Sequence, residues 1–178
     1  TVNFIFQPAE EGGGGGRVMV EEGVFEKFPC DTVWGMHNDP KLPAGTLATR
    51  PGPLMAAVDT VKITINAVGC HAALPHVGID PIAVAVQLYT AMQTIVARNI
   101  DPIKSAVVSV TMLHAGSATN VIASSAELAA SIRTFDPEIR KLIEDRTRDI
   151  CKGMETAHNV TIDIDYDNGY PATINHAK

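Results

Sequence analysis

The sequence has no apolar run that approaches the ~20 residues of a membrane-spanning helix. Its lysines and arginines form no cluster, and the net charge is −6, so no basic surface for nucleic acid is indicated. The first residues also lack the basic stretch that opens a secretory signal peptide. We therefore expect neither nucleic acid nor a membrane as a partner.

Cysteine is scarce as well, and Cys30, Cys70 and Cys151 lie far apart in the chain. An odd number of widely spaced cysteines argues against a disulfide framework. It favours reduced thiols, so we expect a cytoplasmic protein.

Two well-known motifs are incomplete in this chain. The five glycines at 12–16 lack a following Gly-Lys-Ser/Thr and the spacing of a dinucleotide loop, which argues against a nucleotide site. Gly116-Ser117-Ala118 lacks the second glycine of a nucleophile elbow, so a serine hydrolase is not supported.

The composition itself is that of a globular protein, with 46% apolar and 19% charged residues. A length of 178 residues suits one domain, or one domain with part of another. Because residue 1 already lies in a strand-like run, we expect an internal fragment of a longer protein.

Residues 1–56 are typical of part of an α/β domain. Continuous apolar runs predict buried strands at 2–6 and 32–36, and a helix is predicted between them over 17–22. This order indicates a mostly parallel sheet. Functional groups of such sheets lie at the carboxyl ends of strands, where Glu10, Glu11 and His37 are expected.

The pattern of residues 57–168 predicts an α+β domain of order β-α-β-β-α-β, the ferredoxin-like split arrangement. Alternating residues predict strands near 61–65, 106–112, 126–135 and 160–166. Asp-Pro pairs at 80–81 and 136–137 predict helix starts. The first helix is apolar on most of its surface, so we expect burial on more than one side. Residues 169–178 then form a return segment.

The adjacent carboxylates of Glu10 and Glu11 repel each other, and a divalent metal would relieve that repulsion. Considered alone, the pair fits a solvated helix start better, because acids suit the positive end of the helix dipole. His37 at the same expected sheet edge shifts the balance, since imidazole and carboxylate together are usual donors to zinc or manganese.

Three further residues have a functional and a structural interpretation. His71, in a loop before the predicted helix, is either a turn residue or a donor to a developing oxyanion. Asn120 lies 13 residues before Arg133, which is expected on the open face of the sheet, opposite Leu128. An arginine there either points into solvent or binds a substrate carboxylate through two hydrogen bonds of its guanidinium group.

Five segments occur in order: FQPAEEG at 6–12, GMH at 35–37, HAALPHVGIDP at 71–81, TNVI at 119–122 and RTFD at 133–136. Together they closely resemble the M20 metallopeptidase family, in its amidohydrolase branch of hippurate hydrolases and N-acyl-amino-acid deacylases. The resemblance covers essentially the whole chain. It implies an α/β catalytic-domain fragment at 1–56 and a ferredoxin-like lid and dimerisation domain at 57–168.

The resemblance also implies a chemistry. The full-length protein would be a two-metal hydrolase that cleaves the amide bond of hippurate-like N-acyl amino acids with a metal-bridged water. The metals would be zinc or manganese, with nickel or cobalt as alternatives. Glu10 resembles the general base, and Glu11 and His37 resemble metal ligands. His71 resembles a lid histidine that stabilises the oxyanion in a partner subunit's site of a homodimer.

Asn120 and Arg133 resemble residues that hold the substrate, with Arg133 on its carboxylate. The branch also places a Cys-Gly-His-Asp segment upstream and a ligand histidine near the C-terminus, and neither matches a segment here. We therefore expect an incomplete metal site and an inactive fragment when it stands alone. The alternative is a catalytically inactive α+β dimerisation module with vestigial site residues.

Overall fold

A computed structural model describes residues 1–177, and the chain divides between Thr49 and Arg50 into two compact units. We call residues 1–49 unit 1 and residues 50–177 unit 2. The division precedes the expected boundary after residue 56, because residues 52–55 pair with residues 173–175 inside unit 2. Residue 178 of the predicted return segment lies outside the described residues.

Unit 1 contains two short helices, α1 at Gly15–Glu21 and α2 at Val24–Lys27. The helix predicted over 17–22 is thereby confirmed. Gly23 separates the two helices with a φ of 81°, a left-handed conformation that glycine adopts without a steric penalty.

The buried strands predicted at 2–6 and 32–36 are wrong. Neither segment is a strand, and Phe6, Trp34 and Met36 are 88%, 87% and 89% exposed. A strand needs a neighbour for its backbone hydrogen bonds, and no segment within residues 1–177 pairs with either run. Glu10, Glu11 and His37 therefore do not stand at the ends of paired strands in the described chain.

Unit 2 contains the predicted β-α-β-β-α-β order. Its four-stranded antiparallel sheet has the strand order β4-β6-β2-β7, and both long helices pack on one face. The elements of unit 2 are β1 at Gly52–Met55, β2 at Ala57–Asn66, β3 at Cys70–His71, a 3-10 turn at Pro75–Val77, α3 at Pro81–Asn99, β4 at Ala106–Ala115, β5 at Val121–Ile122, β6 at Ser125–Thr134, α4 at Pro137–His158, β7 at Thr161–Asn168 and β8 at Thr173–Asn175.

The helix starts follow from the Asp-Pro pairs. The carboxylate of Asp80 accepts the N–H of Ile82, and that of Asp136 accepts the N–H of Glu138. Each cap satisfies a backbone donor that the first helical turn would otherwise leave unpaired.

The core of unit 2 lies between the sheet and the two helices. Alternating residues of β2 and β6 meet one face of α3, and the cluster also includes α4 residues; its largest fully buried apolar members are Val61, Ile63, Ile65, Val84, Leu88, Met92, Ile95, Ile132 and Ile143. The thiol of Cys151 lies in this cluster, and burial raises its pKa to about 12. The cysteine is therefore a packing residue.

The burial of α3 differs from the prediction. Only one face enters the core, and Ile82, Val86 and Tyr89 remain exposed along the other side. These residues follow one another at helical spacing and form a continuous stripe, which we call the α3 outer stripe. Nothing in the described part of the chain covers it.

A buried ion pair fixes the point where the chain leaves the sheet. Arg140 Nε donates to Asp59 at 2.8 Å, and its Nη2 donates to the carbonyl oxygen of Gly169, also at 2.8 Å. The hydrogen bond to Asp59 raises the pKa of Arg140. Val58 N–H donates to the carbonyl of Tyr170 at 3.1 Å, so residues 169–170, just after β7, are held against β2. Within residues 1–177, no helix is long and apolar enough to span a membrane.

Candidate active-site residues

The loop that carries Glu10 and Glu11 depends on its glycines. Ala9, Gly13 and Gly14 have φ values of 49°, 80° and 70°, and a Cβ on Gly15 would clash with the carbonyl oxygen of Pro8. The glycine run thus lets the chain fold back over Pro8 into α1. A non-glycine residue at positive φ is strained, and such strain is concentrated at functional sites.

The two carboxylates themselves are unengaged. Glu10 and Glu11 are exposed, and within the described residues neither forms a hydrogen bond or an ion pair. Both are therefore available to a ligand or a cation.

His37 is oriented by its own backbone. Its Nδ1 lies 2.7 Å from the carbonyl oxygen of Asn38, and a carbonyl can only accept, so Nδ1 carries the proton. In the neutral ring this leaves the Nε2 lone pair free, which is the arrangement found in metal-bound histidines.

The donor atoms of unit 1 fit a divalent metal in kind but are few in number. Carboxylate oxygens and an imidazole Nε2 suit zinc or manganese. Within residues 1–177, however, no group of three or more His, Cys, Asp or Glu side chains is arranged to hold a metal. These residues could supply only part of a metal site.

His71 and Asn120 are brought together by the short pair β3–β5. His71 is in register with Val121, and the N–H of Ala72 donates to the carbonyl of Asn120 at 3.0 Å. The N–H of Ala73 donates to His71 Nδ1, also at 3.0 Å. Because Nδ1 accepts, the neutral ring carries its proton on Nε2, where it can be donated.

A groove of about 840 Å³ lies beside His71 on unit 2. Its ionisable lining residues are Cys70, His71, His114 and Glu127. No motif in the sequence pointed to His114 or Glu127. His114 lies beyond the predicted end of its strand at residue 112, whereas β4 extends to Ala115. Glu127 could have been found from its alternation with the buried Leu128.

Arg133 lies on β6, at the other end of the strand from the groove residues Ser125 and Glu127. It is in register with Val58 and Val107, and its Nη1 donates to the carbonyl of Ile132 at 2.9 Å. Six residues of strand separate it from Glu127, the nearest lining residue on β6, a distance of about 20 Å. The structure therefore does not bring Arg133 together with His71 and Asn120.

The described residues form a mixed α/β chain with free carboxylate and imidazole donors in unit 1. Over residues 1–178 the chain matches Peptidase family M20/M25/M40, and it belongs to this family. Its mixed α/β fold is consistent with that of the M20 catalytic domain.

Two curated relatives are similar over nearly the whole chain. An N-acetyl-L-cysteine deacetylase from Bacillus subtilis (strain 168) is 40% identical over 98% of this chain and 41% of its own length. A hippurate hydrolase from Campylobacter jejuni is 42% identical over 99% of this chain and 46% of its own length. The chain thus spans less than half the length of these relatives.

Among solved structures, the fold is similar to a dinuclear metal binding peptidase of the M20 family from Bacillus subtilis. The TM-score is 0.73 at 35% identity, covering 97% of this chain and 42% of that chain.

Proposed function

We propose that the protein containing this chain is a metal-dependent amidohydrolase that cleaves N-acyl amino acids, including hippurate-like substrates. The observation that carries the proposal is the family match over residues 1–178. It is supported by relatives named for the hydrolysis of hippurate and the deacetylation of N-acetylcysteine, at 42% and 40% identity.

In this proposal Glu11 and His37 hold metal, and Glu10 is the general base. When bound, two divalent metal ions, zinc or manganese, supply Lewis-acid activation of the amide carbonyl and the attacking water. Glu10 takes the proton from that water and returns it to the leaving amine. The unengaged carboxylates and the free Nε2 of His37 support these roles.

His71 is proposed to donate its Nε2–H to the oxyanion, Asn120 to hold the substrate beside it, and Arg133 to bind the substrate carboxylate. The backbone hydrogen bond from Ala73 supports the donor tautomer. Because Arg133 lies about 20 Å along β6 from the groove residue Glu127, one small substrate cannot contact both His71 and Arg133 of a single chain. A second copy of the chain must supply one of them.

Unit 2 is therefore proposed to act as the lid and dimerisation domain of a homodimer. The two edges of its sheet differ in character. The β7 edge carries Asp163, Asp165 and Asp167 on the open face, and charges on an edge strand oppose pairing. The β4 edge exposes Val107 and Met112, and α3 with its outer stripe packs beside it. The apolar edge is the one proposed to meet a second copy.

Light scattering tests the dimer. The protein should be dimeric at micromolar concentration, and Val86→Lys, a charge in the α3 outer stripe, should make it monomeric. Asp165→Lys on the opposite edge is the matched control and should leave the dimer intact. A monomeric wild type, or dissociation caused by the control instead, would contradict this interface.

Substitution of the proposed base tests the reaction. With zinc or manganese bound, Glu10→Gln should lower kcat for an N-acyl amino acid by about 10²–10⁴-fold while the measured metal content stays unchanged. Glu11→Ala and His37→Ala should lower the metal content, and Glu22→Gln, an exposed glutamate outside the loop, is the control. Full activity in Glu10→Gln would remove Glu10 from the role of base.

The alternative is a catalytically inactive dimerisation module. It is favoured by one observation, that residues 1–177 contain no group of three or more metal-donor side chains. If the protein forms the dimer but neither retains zinc or manganese nor hydrolyses any N-acyl amino acid, this alternative is correct.

A further inference from the structure

We propose that a small cavity in unit 2 binds ordered water molecules that join Thr134, at the end of β6, to Arg140 in the first turns of α4. The cavity lies where β6 ends, α4 begins and the chain continues after β7. It shares no lining residue with the groove beside His71, so it is a separate site.

A buried hydroxyl without a protein partner is the first argument. Thr134 is 1% exposed, and its Oγ1 forms no hydrogen bond within the described residues. Thr134 alternates along β6 with the same face as the buried Ile132, so its side chain is on the helix side of the sheet. A buried hydroxyl that lacks a partner costs free energy, and the cavity that Thr134 lines is where a partner can bind.

The remaining donors of Arg140 are the second argument. Its Nε and Nη2 donate to Asp59, and Nη2 also donates to the carbonyl oxygen of Gly169. Nη1 carries two further N–H groups, and they meet no acceptor within the described residues. Arg140 lines the same cavity as Thr134, so one ligand can accept from Nη1 and also bind the Thr134 hydroxyl.

The size of the cavity limits the ligand. Its volume is about 100 Å³, which is room for several water molecules and for nothing much larger. In so small a space, the polar groups of the wall lie within a short chain of water molecules of one another. A water-mediated contact is enthalpically nearly as good as a direct hydrogen bond.

The balance of charge favours water over an ion. Arg140 is paired with Asp59, and Asp136, the other ionisable residue of the lining, is paired with Lys104 at 2.7 Å. The lining therefore has no excess charge that would attract an ion. Its polar groups are mixed, since the Thr134 hydroxyl both donates and accepts, Nη1 donates and the Asp136 carboxylate accepts. A buried water needs two to four such partners.

The water molecules extend the hydrogen bonds that Arg140 already makes. Arg140 holds Asp59 on β2 and Gly169 just after β7, and the water adds Thr134 to the same network. The end of β6, the start of α4 and the chain after β7 are thus joined through one guanidinium group.

Removal of the hydroxyl tests the proposal through the sign of the stability change. Thr134→Val keeps the shape of the side chain but deprives the water of a partner, so it should raise the equilibrium constant of unfolding by about two- to tenfold. If no water were bound, the same substitution would remove an unpaired polar group and lower that constant. Chemical denaturation of the 178-residue chain, followed by circular dichroism, measures it.

Tyr166→Phe is the matched control. The Tyr166 hydroxyl is also buried and without a partner within the described residues, but Tyr166 lines neither this cavity nor the groove beside His71. This substitution should leave the unfolding constant unchanged or lower it. The proposal is wrong if Thr134→Val is at least as stable as the wild type, or if Tyr166→Phe is destabilised equally.

A crystal structure locates the ligand directly. The wild type should show solvent density within about 3.2 Å of Thr134 Oγ1, and Thr134→Val should lose or weaken it. An absence of density at this position, or density that refines as an ion, would overturn the proposal.

Discussion

At the scale of single residues, two histidines are held by backbone hydrogen bonds of opposite direction. His37 Nδ1 donates to the Asn38 carbonyl, whereas His71 Nδ1 accepts from the Ala73 N–H. Each bond determines which ring nitrogen carries the proton. The free Nε2 is thus a lone pair in His37 and a donor in His71, which suits a metal ligand and an oxyanion donor respectively.

Nitrogen NMR of the neutral imidazoles can test this difference. In the metal-free protein above pH 8, His37 should show a protonated Nδ1 and an unprotonated Nε2, and His71 should show the reverse. The exposed His76 provides an internal reference, because its ring forms no hydrogen bond within the described residues. The same tautomer in both rings would contradict the assignment.

At the scale of elements, a strand or helix was predictable from the sequence where the segments that pack against it lie within the described chain. The alternation around Val61 and Leu128 predicted strands that are present, because β2 and β6 pair with each other. The apolar runs at 2–6 and 32–36 carry the pattern of buried strands, but nothing in the described chain pairs with them. The apolar pattern of α3 likewise predicted more burial than unit 2 supplies.

The candidate site could be predicted only in part from the sequence. Glu10, Glu11 and His37 were singled out by side-chain chemistry, which needs no knowledge of the fold. The groove could not be predicted, since it depends on register: His114 lies opposite Glu127 only because β4 contains a bulge between Val110 and Met112. The separation of Arg133 from His71 also requires the paired sheet.

Two glycines of unit 2, Gly169 and Gly153, form a matched pair. A Cβ on Gly169, just after β7, would clash with the carbonyl oxygen of Val58, whereas a Cβ on Gly153, inside α4, would meet nothing within 4 Å. Gly169→Ala should destabilise the protein by about 1–3 kcal/mol, since residues 169–170 must shift away from β2. Gly153→Ala should stabilise it by about 1 kcal/mol, because alanine loses less backbone entropy in a helix.

Chemical denaturation followed by circular dichroism measures both variants. Gly153→Ala acts as the control for adding a methyl group. If Gly169→Ala were as stable as the wild type, the close approach of Gly169 to Val58 would not exist in solution.

At the scale of the whole molecule, burial is distributed unevenly between the two units. The described residues of unit 1 include a single buried residue, Gly15, whereas unit 2 contains the whole apolar core. Backbone protection against hydrogen exchange follows burial and cooperative hydrogen bonding. In the 178-residue chain, amides of β2 and β6 should therefore exchange only through global opening of unit 2, while amides at 1–49 should exchange with little protection.

Peptide-resolved exchange mass spectrometry measures both exchange rates. The glycine variants provide a control, because Gly169→Ala should speed exchange in β2 and β6 without changing the exchange of residues 1–49. Equal protection of 2–6 and β2 would mean that the apolar runs of unit 1 acquire partners in solution, and that the two units do not differ in stability as their burial indicates.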